Sequence, residues 1–434
     1  MMARIRLTGG RVIDPASGLD DVTDLVLDEG VVKGLSRGSG SADGETVLDV
    51  SGYVVAPGFV DLHTHLREPG FEDMESLRSG TRAAAAGGFT TVCAMPDTSP
   101  TTDTGSDVEA LLRMARRDAV VRVLPVGTVT KHREGRELSE MADMAEAGAV
   151  AFTDSGRMVK TGALMRRALE YTLLTGLPIA DHVEDPDIAG GGVMNEGPTA
   201  TRLGLRGVPH EAEEVAVARD LALARLTGGR LHLAHLSTAG SIGLLGRARE
   251  QGLAVSAEVT PHHLTLTDAA VAGSESGRLY DANARVSPPL RTLEDAEALL
   301  QGLREGVIDC IATDHAPHRI IDKNCEFDDA APGISGLETA FGLLMRLVHA
   351  GRLDLATLIA ALTVRPSRVW GLPYGTLARG APGDLVVLDP AQAWTVDPGR
   401  FLSKGKNTPL AGQTLRGAVL LTVVNGTVVY RNGL

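Results

Sequence analysis

Hydrophobic and polar positions follow two rhythms along this chain. Up to about Ala56 the apolar runs are short: Arg4–Leu7, Arg11–Ile13, Asp24–Leu27, Val31–Leu35 and Tyr53–Val55. Turn residues punctuate them at Gly9-Gly10, Asp14-Pro15 and Glu29-Gly30, and no helical period runs through them, so this part predicts strands. From Gly58 the rhythm changes. Apolar runs at Phe59–Leu62, Thr91–Met95, Val121–Val126, Val150–Phe152, Pro178–Ala180, Leu231–Leu233, Ala254–Val259 and Ile308–Ala312 alternate with amphipathic stretches. Examples of the latter are Met74–Ala86, Val108–Arg117, Ala163–Leu174, Glu211–Leu226 and Leu293–Leu303. Glycines at Gly87-Gly88, Gly148, Gly176 and Gly228-Gly229 close several of them, as helix C-caps do. Eight strand–helix units in succession predict an α/β fold, a parallel (β/α)8 barrel. Helical segments continue from Thr339 to about Val369. Strands then return at Asp384–Leu388, Gly417–Val424 and Thr427–Tyr430, with a hairpin signal at Asn425-Gly426. The two ends share this β-rich character. The simplest arrangement is a barrel over residues 57–369 flanked by one small β-domain built from 1–56 and 370–434.

Composition removes several functional classes. The 434 residues carry 42 Lys and Arg against 55 Asp and Glu, a net charge of −13, which argues against a nucleic-acid partner. Aromatic residues make up 3%, too few for a base-stacking surface. Cys93, Cys310 and Cys325 are odd in number and far apart, which suits a reducing compartment better than a disulfide framework. The start lacks an apolar core of signal-peptide length, and no run approaches a membrane span. The expectation is a cytoplasmic protein acting on a small molecule, with no nucleic-acid or membrane partner.

The chemistry collects where a barrel of this kind puts it, at the C-terminal strand ends. In Asp61-Leu62-His63-Thr64-His65-Leu66-Arg67, residues two apart share a face, so His63, His65 and Arg67 leave the first strand on one side. The fourth strand ends in Thr153-Asp154, the fifth in Asp181-His182, the sixth in Ala234-His235 and the eighth in Thr313-Asp314-His315. Imidazole with carboxylate suits Zn²⁺ or a similar divalent ion. Four histidines and two aspartates exceed one tetrahedral shell and fit two ions about 3.5–4 Å apart sharing a bridge. A histidine or aspartate taken singly is more simply a hydrogen-bonded core residue or a helix cap; the convergence of five strand ends carries the metal reading. His132, His210, His232 and His349 fall off the strand-end positions and read as structural. His262 and His263, after the seventh strand, read as supporting or structural.

These residues lie in stretches that resemble the dihydroorotases of the amidohydrolase superfamily. The resemblance runs through Asp61–Gly70, Gly87–Thr91 with Met95-Pro96, Val193–Gly197, Ala234–Thr238, Glu258–Leu264, Pro288–Arg291, Ile311–His318 and Gly336–Thr339. It implies a zinc-dependent, reversible ring opening of dihydroorotate to N-carbamoyl-aspartate in pyrimidine synthesis. It also implies zinc on His63 and His65, a second ion on His182 and His235, Asp154 in the bridging place, and Asp314 as metal-linked general base and acid. Arg67 and His318 take the place of substrate-binding groups. Three positions depart from the family pattern: Asp97 and Ser287 stand where it has Asn, and Pro332 stands for a Phe before Gly333. An Asp97 facing the substrate carboxylate either keeps a proton or ionises and pairs with Arg67. Allantoinase, hydantoinase and dihydropyrimidinase are the neighbouring activities. A non-catalytic barrel supporting aspartate transcarbamoylase is the reading from another class. A homodimer and an association with that enzyme are the partner states to look for.

Overall fold

Eight parallel strands close on themselves in sequence order. The computed structural model describes residues 4–36 and 45–434. The barrel strands are Phe59–Thr64, Phe89–Ala94, Arg122–Pro125, a single bridging residue at Phe152, Ile179–Asp181, Leu231–Leu233, Val255–Val259 and Cys310–Ile311. Each pairs in parallel with the next: Asp61 beside Val92, Arg122 beside Thr91, Phe152 beside both Gly127 and Ile179, Ile179 beside Leu231, Leu231 beside Val255, Glu258 beside Cys310. Thr64 and His315 bridge the eighth strand back to the first, and His65 N donates to His315 O at 2.9 Å. A buried carboxylate reinforces that seam. Asp61 accepts from Thr313 N at 2.9 Å and from the Thr313 hydroxyl. Burial pushes Asp61 up to about 7, against the pull of these bonds.

The helices start and stop for local reasons. Ser76, Thr104 and Thr292 each accept from the backbone three residues on and receive a side chain in return, so the helices Leu77–Ala86, Gly105–Asp118 and Leu293–Glu305 open with capping boxes. Gly148, Gly176 and Gly228 close three others in the left-handed conformation, as the pattern predicts. At Gly87-Gly88 the second glycine makes that turn, at φ +88°. Among the described residues no helix is long and apolar enough to cross a membrane.

Both chain ends contribute to one six-stranded sheet. Its order is Thr427–Arg431, Thr414–Val424, Leu385–Thr395, Val54–Pro57, Arg11–Asp14, Leu19–Val22. A four-stranded sheet, Val31–Ser36, Asp24–Asp28, Ile5–Thr8, Thr46–Asp49, accompanies it. Buried Leu7, Val12, Leu25, Val55, Val387 and Leu421 pack together in a core drawn from both termini. Leu19–Val22 and Thr46–Asp49 escape the pattern. The first is a mostly exposed edge carrying Asp20 and Asp21, so it shows no apolar alternation. This unit is tied to the barrel by Arg122, which donates to Asp384 at 2.7 Å and Asn425 at 2.8 Å and stacks over Tyr374. Thr422 adds a hydroxyl bond to Ala85 O.

Candidate active site

The first strand delivers His63 and His65 buried and already oriented. His63 Nδ1 lies 2.9 Å from Glu258 Oε1, and the other Glu258 oxygen meets His232 Nε2 at 3.2 Å. His65 Nδ1 lies 2.8 Å from Asp97 Oδ2. Each imidazole therefore spends Nδ1 on a carboxylate and turns Nε2 towards the same oxygen, Asp314 Oδ1, at 3.6 and 3.3 Å. Carboxylates that fix the rear nitrogen of metal-binding histidines do this. The ligand atoms of His63, His65 and Asp314 all lie within 4.8 Å of one another, a donor set suited to a divalent metal ion. Burial opposes charge on His63, yet the Glu258 bond and the charges of Asp314 and Glu258 raise it to about 9. Burial likewise opposes charge on Asp314, but the bond from His65 and the charges of His63 and His65 hold it well below the carboxylate range.

The fifth and sixth strands bring a second imidazole pair to the same place. His182 Nδ1 and His235 Nε2 are 2.9 Å apart, and the His235 ring lies 5.2 Å from that of His63. His235 Nδ1 is buried without a partner. Burial, then the charge of His63, lowers His235 to about 4, so it is a neutral donor. Asp154 is turned differently. Its carboxylate accepts from Val129 N at 3.1 Å, Thr130 N at 2.9 Å and Thr130 Oγ1 at 2.6 Å, so the backbone after the third strand occupies it.

A cavity of about 240 Å³ opens over these groups, lined also by Arg67, Asp97, Arg133, Ser155, Ser287, His318 and Gly333. Arg67 Nη1 donates to Asp97 Oδ2 at 2.6 Å. The pairing with Arg67 that the sequence offers for an ionised Asp97 is present. Burial would raise its pKa, but His65 and Arg67 hold it far below the usual range. His318 donates Nε2 to Pro332 O at 2.8 Å and leaves Nδ1 buried and unpartnered; burial and Arg67 bring it down to about 3. A Cβ on Gly333, at φ +142°, would sit 2.6 Å from the Ala316 methyl and 3.0 Å from His318 Nε2. Ser287 Oγ lies 3.5 Å from Glu184.

The chain matches known proteins over nearly its whole length. A family model described as dihydro-orotase-like matches residues 52–241. The dihydroorotase of Anaeromyxobacter dehalogenans (strain 2CP-C) is 50% identical over 427 residues, 98% of each chain. That of Syntrophus aciditrophicus (strain SB) is 48% identical over 429, covering 99% of each. The chain belongs to the dihydroorotase family. Solved structures place this dihydroorotase-family chain among the cyclic amidohydrolases. The L-hydantoinase (dihydropyrimidinase) from Arthrobacter aurescens has a TM-score of 0.87 at 27% identity, covering 100% of this chain and 97% of that one. The dihydropyrimidinase from Brevibacillus agri NCHU1002 has a TM-score of 0.85 at 23% identity over 99% and 95%, and speaks for the fold alone.

Two side chains of this dihydroorotase-family site escape sequence reasoning. Glu258 sits inside the apolar run Ala254–Val259, and a charged residue in a buried strand is the signal that points to it. Arg133 lies in the charged loop Lys131–Arg136, where sequence offers nothing to separate it from solvated neighbours. The structural reading of the remaining histidines agrees with their contacts. His232 holds Ser256 and Glu258, His210 meets Asp295, and His349 meets Pro390 O. His263 lies between Thr260 and Pro288 O, while His262 is buried with Nε2 unpartnered.

Proposed function

We propose that this enzyme hydrolyses and re-forms the cyclic amide of (S)-dihydroorotate, giving N-carbamoyl-L-aspartate for pyrimidine nucleotide synthesis, with two Zn²⁺ per subunit. One observation carries the reading: the Nε2 atoms of His63 and His65 converge on Asp314 while carboxylates secure both rear nitrogens. In this reading His63, His65 and Asp314 would hold one ion and His182 and His235 the other, with Asp154, which accepts three bonds from residues 129–130, as the remaining ligand. Bound zinc lowers the pKa of water to about 7 and polarises a carbonyl, which an amide needs because it is a poor electrophile.

The protein's own groups supply the rest. Asp314, ionised and buried, takes a proton from the attacking water as the new C–O bond forms. It returns that proton to the ring nitrogen as the C–N bond breaks, so the ring opens to a ureido group and a carboxylic acid, which becomes a carboxylate as water's second proton leaves to solvent. Arg67, His318, Ser287, Asp97 and the backbone at Gly333 surround the substrate, and the side chain that Gly333 lacks would take space beside His318. The test combines metal analysis with the ultraviolet absorbance of the amide for dihydroorotate, dihydrouracil, hydantoin and allantoin. The expected result is about two zinc ions per chain and fastest turnover of dihydroorotate. Preferential turnover of hydantoin or dihydrouracil would instead place the chain with the hydantoinases, and a metal-free, inactive protein would leave it a supporting barrel.

A further inference from the structure

We propose that Arg133 is a specificity residue of this site and receives the substrate's carboxylate. The inference rests on the proposed reaction and deepens it. Arg67, the obvious cation, is already compensated. Its Nη1 is bound to Asp97 Oδ2, the same oxygen that holds His65 Nδ1. A carboxylate arriving at Arg67 meets another carboxylate beside it, and the Arg67–Asp97 pair together offers no net positive charge.

Arg133 lines the same cavity in a different electrostatic state. Its Nε donates to Asp154 O at 3.0 Å and its Nη2 to Ser155 O, both neutral carbonyls. Among the described residues no carboxylate oxygen lies within 4.0 Å of it, and Nη1 has no hydrogen-bond partner. The nearby Asp154 carboxylate is turned onto residues 129–130. Asp97 and Asp154 act on this half-buried guanidinium only from beyond ion-pair distance, so it keeps a hydrogen-bonding edge that an anion entering the cavity would take up. Ser155 stands beside it, 1% exposed, with Oγ buried, unpartnered and on the cavity wall, a second donor for the same anion.

The backbone also sets Arg133 apart. It lies at φ +56° and His132 at +52°, in the left-handed region that side chains rarely adopt. Its non-glycine companions there include Arg67, Ser155, His235 and Asp314, all lining this cavity. Strain of this kind persists where a side chain must be presented in a fixed direction. Beside its backbone bonds, side-chain acceptors hold the turn: His132 N donates to Asp103 at 2.9 Å, and Gly135 N to Thr130 Oγ1 at 2.9 Å.

The test compares Arg133→Met and Arg133→Lys with wild type on dihydroorotate and on 5,6-dihydrouracil, the same ring without the carboxylate. Dihydrouracil is read as a substrate, or as a competitive inhibitor where its turnover is slow. Arg133→Met is expected to raise KM for dihydroorotate about tenfold to a hundredfold, the range for losing one charge-assisted bond, with kcat within about threefold. Its dihydrouracil constant should stay unchanged, and Arg133→Lys should recover part of the loss. An unchanged KM for dihydroorotate in both variants overturns the inference. So does an equal loss for both ligands, which marks a structural role. If Arg133→Met does not fold, Arg133→Lys and Ser155→Ala give the same comparison. Wild type inactive on dihydroorotate refutes the proposed reaction itself, a result separate from either variant's.

Discussion

At the scale of the residue, the site works by assigning each imidazole nitrogen a separate task. Glu258 and Asp97 occupy the rear nitrogens, so the forward ones need no reorientation to meet a metal. Replacing Glu258 with Gln should weaken metal binding by about ten- to a hundredfold, measured by competition with a chelator. Asp314→Asn should keep the thermal transition and lose turnover by roughly 10²–10⁴-fold, because an amide cannot accept the proton. Asp97→Asn should act in two directions. Freed Arg67 lowers KM for dihydroorotate, while the weaker acceptor on His65 lowers metal affinity; KM values and chelator titrations read these separately. His63, His65, His182, His235 and Asp314 were legible because strand ends announce themselves in sequence. The holds of Asp97 on His65 and of Glu258 on His63 were not, because they depend on which strand end or loop faces which, and that pairing is a property of the closed ring. Asp154 was legible as a strand-end acid but not in orientation, since its neighbours at 129–130 are set by the loop.

At the scale of the element, buried side chains stitch helix starts to the loops around them. Asp295 caps the helix Leu293–Glu305 through Thr292 and also accepts from Ala239 N at 3.0 Å and His210 Nε2 at 2.9 Å. Burial works against its charge, but the His210 and Thr292 bonds bring its pKa down to about 2. A carboxylate whose folded pKa is depressed stabilises the fold fully above its unfolded value near 4 and loses that contribution as pH falls through about 2. Asp295→Asn should therefore cost about 1 kcal/mol in urea unfolding at pH 6, the usual worth of such a cap, with the gap to wild type closing only below about pH 4. The strands and helices themselves were readable from periodicity wherever both faces or one stripe are apolar. The exposed acidic edge at Leu19–Val22 had no such signature, and the fourth barrel strand is reduced to one bridging residue, Phe152.

At the scale of the whole molecule, residues far apart in sequence fasten the chain, and two of these fastenings carry predictions. Arg122 bonds the third barrel strand to Asp384 and Asn425, and Arg122→Met should lower unfolding stability by about 3 kcal/mol with turnover at 25 °C preserved, because it leaves the Asp384 carboxylate buried with fewer partners. The other fastening is the seam where Asp61 meets Thr313, 252 positions later. A ribosome adding about 5–20 residues per second exposes His63 and His65 for roughly 10–50 s before Asp314 exists. For that interval the pair lacks its third donor, so a metal site of His63, His65 and Asp314 would be completed only when the last strand docks beside the first.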